Sequence, residues 1–186
     1  MQINPLKTLY KIAVAFTTLS VFTACSSTGP VELKMQGEAA PVVNRDVNGK
    51  SLSLVLHVYQ LKSKDEFNRL TFDVLATGKS PAELLGNSLI TQSEFVLLPG
   101  KESTLPFTLQ ADTQYVGVVG FFRKPDAQFW RSLMTAEEMR NAKKIAIKAQ
   151  DCYLQITSPK TELIPGQAAP FKADCGSAPA KSSKTK

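Results

Sequence analysis

The sequence predicts an all-β domain with small helical insertions, folded as a β-sandwich. Three observations carry that reading. Short runs of β-branched, aromatic and aliphatic residues recur from Val31 to Thr157. Turn pairs such as Asn48-Gly49 and Pro99-Gly100 punctuate them. The helix-start signals between them open only short stretches.

In order along the chain, Val31 to Gln36 alternates apolar and polar side chains and reads as a half-buried strand. Ala39 to Lys50 reads as a loop, with Pro41, Asn44, Asp46 and the Asn48-Gly49 turn. Leu52 to Leu61 is apolar on both faces after Ser53 and reads as a central strand. Ser63 to Thr77 sets Phe67, Leu70, Val74 and Leu75 at helical spacing, with Ser63 and Glu66 as a capping box. Ser80-Pro81 opens a second, short helix before Gly86. Ser88 to Leu98 is a strand that runs into Pro99-Gly100, and Ser103 to Leu109 is expected to pair with it as a hairpin. Tyr115 to Arg123 is a second buried strand, where Gly117 and Gly120 imply close packing or a bulge. Lys124-Pro125-Asp126 turns the chain, and Thr135 with Glu138 caps a helix running to about Lys144. Lys144 to Ala149 and Cys152 to Thr157 read as closing strands.

The N-terminus carries an address. Lys7 and Lys11 precede an apolar stretch from Ile12 to Phe22, the layout of an export signal. The stretch ends in small residues and Cys25, which resembles a bacterial lipoprotein signal. That resemblance implies a cut before Cys25 and acylation of its thiol and new amine. Acyl chains bind at about 0.8 kcal/mol per buried methylene, so several chains make a stable anchor. A retained transmembrane helix is the rival reading, but Ile12 to Ala24 makes only about 20 Å of helix against about 30 Å of hydrocarbon. Ser26 follows the cysteine where an aspartate would resemble an inner-membrane retention signal, so the resemblance implies the outer membrane. The expected organisation is a signal peptide at 1–24, a lipidated linker at 25–30, a sandwich domain at 31–176 and a disordered basic tail at 177–186. The linker Ser26 to Pro30 reaches roughly 17 Å, which keeps the domain near the membrane.

The chain has 186 residues and a formal charge of +6. Most of that excess sits in Lys7 and Lys11 of the signal and in Lys181, Lys184 and Lys186 of the tail. The domain is nearly neutral, so the composition does not describe a nucleic-acid binder. The tail reads as a solvated terminus or as a contact to peptidoglycan or acidic lipopolysaccharide. Three cysteines make an odd count. With Cys25 lipidated, Cys152 and Cys175 are left to pair in an oxidising compartment, or to remain as two thiols. A bridge there would be worth roughly 3 kcal/mol in the chain-entropy model.

Little in the chain points to a reaction. The one histidine, His57, stands mid-strand. Cys152 and Cys175 lack two further zinc ligands at usable spacing. Asp65 and Glu66 are adjacent on a helix and diverge by about 100°, which suits a helix N-terminus better than glycoside chemistry. No metal, cofactor or catalytic residue is assigned, and the chain is expected not to be an enzyme.

The run Asn48 to Leu61, with Val58-Tyr59-Gln60-Leu61, then Phe67, Pro99-Gly100, Tyr115 to Arg123 and Trp130-Arg131 carries a resemblance. Together with the lipoprotein signal it resembles the outer-membrane lipoprotein of the type VI secretion system, the TssJ family. The resemblance covers about residues 30 to 131. It implies a transthyretin-like β-sandwich. It also implies docking to the periplasmic C-terminal part of TssM, and through it to TssL, at the periplasmic face of the outer membrane. The family's partner loop maps here to Ala39–Lys50, centred on Pro41, Val42, Val43, Asn44, Arg45 and Asp46. Two exposed valines beside Arg45 would suit an interface core with a charged rim. The segment also reads as an ordinary hairpin loop. The alternative function is a peptidoglycan- or small-ligand-binding lipoprotein, which would expose Phe129 and Trp130 in a polar cleft.

Overall fold

Strand β1 (Val31–Val43) buries every second residue from Leu33 through Met35, Gly37 and Ala39, as a strand with one face on a core must. Strand β2 (Leu54–Leu61) follows, then helices α1 (Asp65–Arg69), α2 (Phe72–Ala76) and α3 (Pro81–Leu85). After these come β3 (Leu89–Leu97), β4 (Glu102–Leu109), β5 (Tyr115–Gly120), β6 (Arg131–Thr135), α4 (Ala136–Ala142), β7 (Lys144–Asp151) and β8 (Tyr153–Ser158). This computed structural model describes residues 29–176. The expected signal peptide at 1–24, the expected lipidation site Cys25 and the expected tail at 177–186 lie outside the described residues.

The strands form two four-stranded sheets, ordered β4-β1-β7-β8 and β3-β2-β5-β6. Neighbours are antiparallel except β1 and β7, which run parallel. The apolar side chains of both sheets meet in one cluster that includes Leu33, Leu54, Leu56, Leu109, Val118, Ile145, Ile147 and Leu154. Each such side chain contributes roughly 1.5–3 kcal/mol by leaving water. One polar group joins the layers. The amide of Gln60 in β2 donates to Thr108 O at 2.8 Å and accepts from Gln110 N and Thr113 Oγ1, each at 2.8 Å.

The expected hairpin of Ser88–Leu98 with Ser103–Leu109 does not form. β3 pairs with β2 and β4 with β1, so Leu98 to Lys101 carries the chain from one sheet to the other. Gly100 N donates to Ala40 O and Ala39 N to Lys101 O, which ties this corner to β1. A turn signal fixes the bend, not the partner strand. The expected helix at Ser63–Thr77 is split in two at Leu70 and Thr71. Thr71 caps the start of α2 by accepting Val74 N, and the buried Arg131 guanidinium caps the end of α1 by donating to Phe67 O and, at 3.1 Å, to Asn68 O. The Ser63–Glu66 box is absent, since Ser63 bonds only to Asp65 and the N-cap is Lys64. The Ser80–Glu83 box is complete, and it holds the Glu83 carboxyl below its ordinary pKa. Strand β6 was not expected from the sequence. Its buried Leu133 and Met134 are adjacent rather than alternating.

The candidate partner-docking site

The loop after β1 is built on local hydrogen bonding. Asp46 N donates to Lys50 O, and Gly49 N to Asp46 O. The Asp46 carboxylate accepts Asn48 N at 2.8 Å and Lys50 N at 2.9 Å. Gly49 supplies the φ of 79° that this tight turn needs. The turn lifts Val47 to its tip, where it is 82% exposed. Below it, Ser51 Oγ donates to Pro41 O at 2.8 Å, closing the base of the loop.

The loop is also fastened to the rest of the sandwich. Asn44 takes a left-handed conformation that asparagine tolerates, with φ of 48°. Its amide donates to Ser53 O and accepts from Arg123 N, each at 2.7 Å, and its own N–H donates to Asp151 O. Arg45 grips the Asp151 carboxylate with two nitrogens, Nε at 2.6 Å and Nη2 at 2.5 Å. That hydrogen bond raises the guanidinium pKa above its ordinary value. Asp151 precedes Cys152, and Cys152 is joined to Cys175 with Cα atoms 5.4 Å apart. Cys175 ends a strap that crosses the open side of the sandwich. Gln167 in the strap donates to Gln128 O and Arg131 O, Asp174 N donates to Asp126, and Phe171 stacks on Phe129. The loop, Lys124 and the disulfide surround a recess of 310 Å³.

Four of the six expected partner residues stand where an interface could reach them. Pro41 and Val42 are exposed, and Arg45 and Asp46 are half-buried. The expectation of two exposed valines is corrected. Val42 is 52% exposed, but Val43 is fully buried in the core and Asn44 is buried as the loop's structural pin. The reason is register. Odd positions from Leu33 to Ala39 face the core, Pro41 is exposed where the register shifts, and Val43 turns inward again. Pro41 interrupts the pairing with β7, where a residue without an N–H has to sit at a break in the ladder. Extending the alternation from Leu33 would have placed Val43 inward, though it would have buried Pro41 as well. Val47 and Leu98, the latter 56% exposed, were missed as the apolar groups at this end. A valine at the tip of an Asp-Val-Asn-Gly turn was the available signal.

Elsewhere the side chains are occupied structurally. His57 meets Tyr59 Oη at 3.0 Å and Glu94 Oε2 at 3.1 Å and lies against the Phe121 ring. Asp65 and Glu66 lie in the first turn of α1. Phe129 and Trp130 are buried at 6% and 4%, which overturns the exposed aromatic cleft expected of a saccharide binder. Among the described residues, no group of three histidine, cysteine or carboxylate side chains is placed to hold a metal. Among them, no helix is long and apolar enough to cross a membrane.

The family model described as "Type VI secretion lipoprotein, VasD, EvfM, TssJ, VC_A0113" matches residues 31–152. The chain belongs to the type VI secretion lipoprotein family. Solved structures agree with this lipoprotein's fold. The type VI lipoprotein TssJ1 from Pseudomonas aeruginosa is 26% identical, with a TM-score of 0.56, over 70% of this chain and 99% of that one. A chain in a structure described as "Type VI membrane complex" is also 26% identical, with a TM-score of 0.61, over 67% of this chain and 96% of its own. A third, described as the TssM C-terminal domain (869–1107) from EAEC, shares the fold at 24% identity and a TM-score of 0.59, over 69% and 98% of the two chains. A search of curated protein sequences found no relative. The family match ends at Cys152, so the disulfide-bound strap of this lipoprotein lies beyond it.

Proposed function

We propose that this lipoprotein fixes the type VI trans-envelope complex to the outer membrane by docking the periplasmic C-terminal part of TssM, and through it TssL. In this reading residues 1–24 direct export and are removed, and Cys25 carries the lipid. Residues 31–176 are the docking domain on the periplasmic face, and the role is binding rather than catalysis. The loop residues Pro41, Val42, Arg45 and Asp46, with Val47 and Leu98, make the contact.

One observation carries the proposal. β1 enters the domain at Val31, next to the linker, and leaves it at Val43, next to the loop. Its 13 residues span roughly 40 Å. A chain held at its N-terminus therefore presents the exposed valines on the side away from the membrane. Apolar side chains held on a rigid, hydrogen-bonded turn suit the centre of a protein interface.

The test combines fractionation with binding. The Cys25→Ser variant should leave the outer membrane, and Val42→Asp with Val47→Asp should abolish capture of the TssM C-terminal domain while the fold melts normally. Retention of both the membrane location and TssM capture in these variants would overturn the proposal.

A further inference from the structure

We infer that the docked partner adds an extended strand to the open edge of β3, with a basic side chain set against Glu94. The inference rests on the docking reading above and specifies how the partner's backbone engages the same end of the domain. The two sheets have four edge strands, β4, β8, β3 and β6. An edge strand offers a row of backbone groups to any strand that approaches it. Three of these edges are guarded. The strap covers β6, giving Glu162 N to Leu133 O and Gln167 Nε2 to Arg131 O. β8 gives Leu154 N to Phe129 O, and its Tyr153 ring lies against Phe171 of the strap. β4 carries Pro106, which has no N–H to offer. β3 has neither proline nor lysine, and Glu94 is its one charge.

Register identifies the groups left open. Phe121 N donates to Val55 O at 2.9 Å, so Val55, His57 and Tyr59 turn their backbone groups toward β5. Leu54, Leu56, Val58 and Gln60 turn theirs toward β3, where they meet Leu97, Phe95, Ser93 and Thr91. The N–H and C=O groups of Gln92, Glu94 and Val96 therefore point away from β2, and among the described residues none of them has a hydrogen-bond partner. A row of this spacing is matched by an extended chain. The side chains along it say what that chain carries. Val96 is 47% exposed beside half-buried Val55, its partner in β2, and half-buried Phe121 packs on His57. Apolar residues suit this stretch. The Glu94 carboxylate is 57% exposed and touches only His57 Nε2 at 3.1 Å, which leaves it open to a cation. At the docking end β3 runs directly into exposed Leu98, and the corner after it is bonded to β1 through Gly100 N and Ala40 O. A segment seated on Val42, Val47 and Leu98 thus runs on to the β3 edge.

The test follows amide hydrogen exchange in the full-length lipoprotein in detergent, with and without the TssM C-terminal domain. Exchange at the amides of Gln92, Glu94 and Val96 should slow in the complex. Gln92→Pro removes one open N–H, as Pro106 does in β4, and should weaken capture about threefold to tenfold. Glu94→Lys leaves the backbone as it is and should weaken low-salt capture about twofold to fivefold, an effect that high salt removes. Unchanged exchange at the three amides in a complex that forms overturns the inference and leaves the docking reading standing. So does full capture by both variants. Variants that only dissociate a dimer of the lipoprotein, while holding TssM normally, assign the edge to a second copy and overturn it as well. Wild-type protein that captures no TssM domain overturns the docking reading, and this inference with it.

Discussion

Phe67 fills the space that a side chain at Gly117 would need. A Cβ on Gly117 would overlap Phe67 Cε2 and stand 2.6 Å from Cζ. The ring is fully buried, and the Arg131 guanidinium lies 5.6 Å from its centroid. Gly117→Ala should therefore push α1 off the sheet and lower stability by about 1–3 kcal/mol. Urea denaturation measures it, and an unshifted midpoint would contradict the packing described.

Tyr59 should make the fold sensitive to alkali. Burial pushes its phenol up from 10.0 to about 12. Because the folded value is raised, the contribution is fully present below pH 10 and is lost as pH rises through about 12. Two units correspond to about 2–3 kcal/mol. Arg131 works in the opposite sense over the same range, since burial lowers its guanidinium to about 10 while the unfolded chain keeps that proton, so its contribution rises with pH from about 10 upward. Tyr59→Phe should remove the phenol's downward contribution to the stability-against-pH curve between 10 and 12. A curve of unchanged slope in the variant would show that the phenol is not the source.

Asp151→Asn keeps a residue tolerant of the left-handed backbone found there, φ 36°, and removes the charge that Arg45 grips. The pair is partly solvated, so thermal melting should stay close to wild type. The loop would lose its grip, and capture of the TssM C-terminal domain should weaken several-fold. Equal capture by both proteins would separate the ion pair from docking.

Cys175→Ser frees the strap. The bridge joins residues 23 apart, and the chain-entropy model gives it about 3 kcal/mol. Unfolding free energies of the wild type with and without reductant, from denaturant titration, should differ by this amount, and those of the variant should coincide. A variant that still responded to reductant would place the redox effect elsewhere.

Much of this fold was legible because local chemistry decided it. The β2 and β5 runs are apolar on both faces, and the Ser80–Glu83 box closes within one turn. What was not legible depends on distant residues. Arg131 caps α1 from far along the chain, while the local signal for the break, Thr71 as N-cap of α2, was overlooked. The partner of β4 is chosen by β1, not by the adjacent Pro99-Gly100 turn. At the site, the Asn-Gly turn was readable, but Ala39 to Val43, expected as the start of the loop, continues β1 because its pairing partners are distant in sequence. The inward direction of Val43 needed the strand register, and Asp151 as partner of Arg45 needed the folded β7–β8 corner.

The place of β1 between β4 and β7 has a mechanical consequence. If the envelope complex tugs on the loop while lipid restrains the linker, the line of force runs lengthwise through this single strand. Its rungs to β4 and β7 lie across that line, those to β7 at a slant. With both points on one strand that is already extended, such a load would pass along the covalent backbone of β1, and the rungs would keep the strand seated rather than carry the pull.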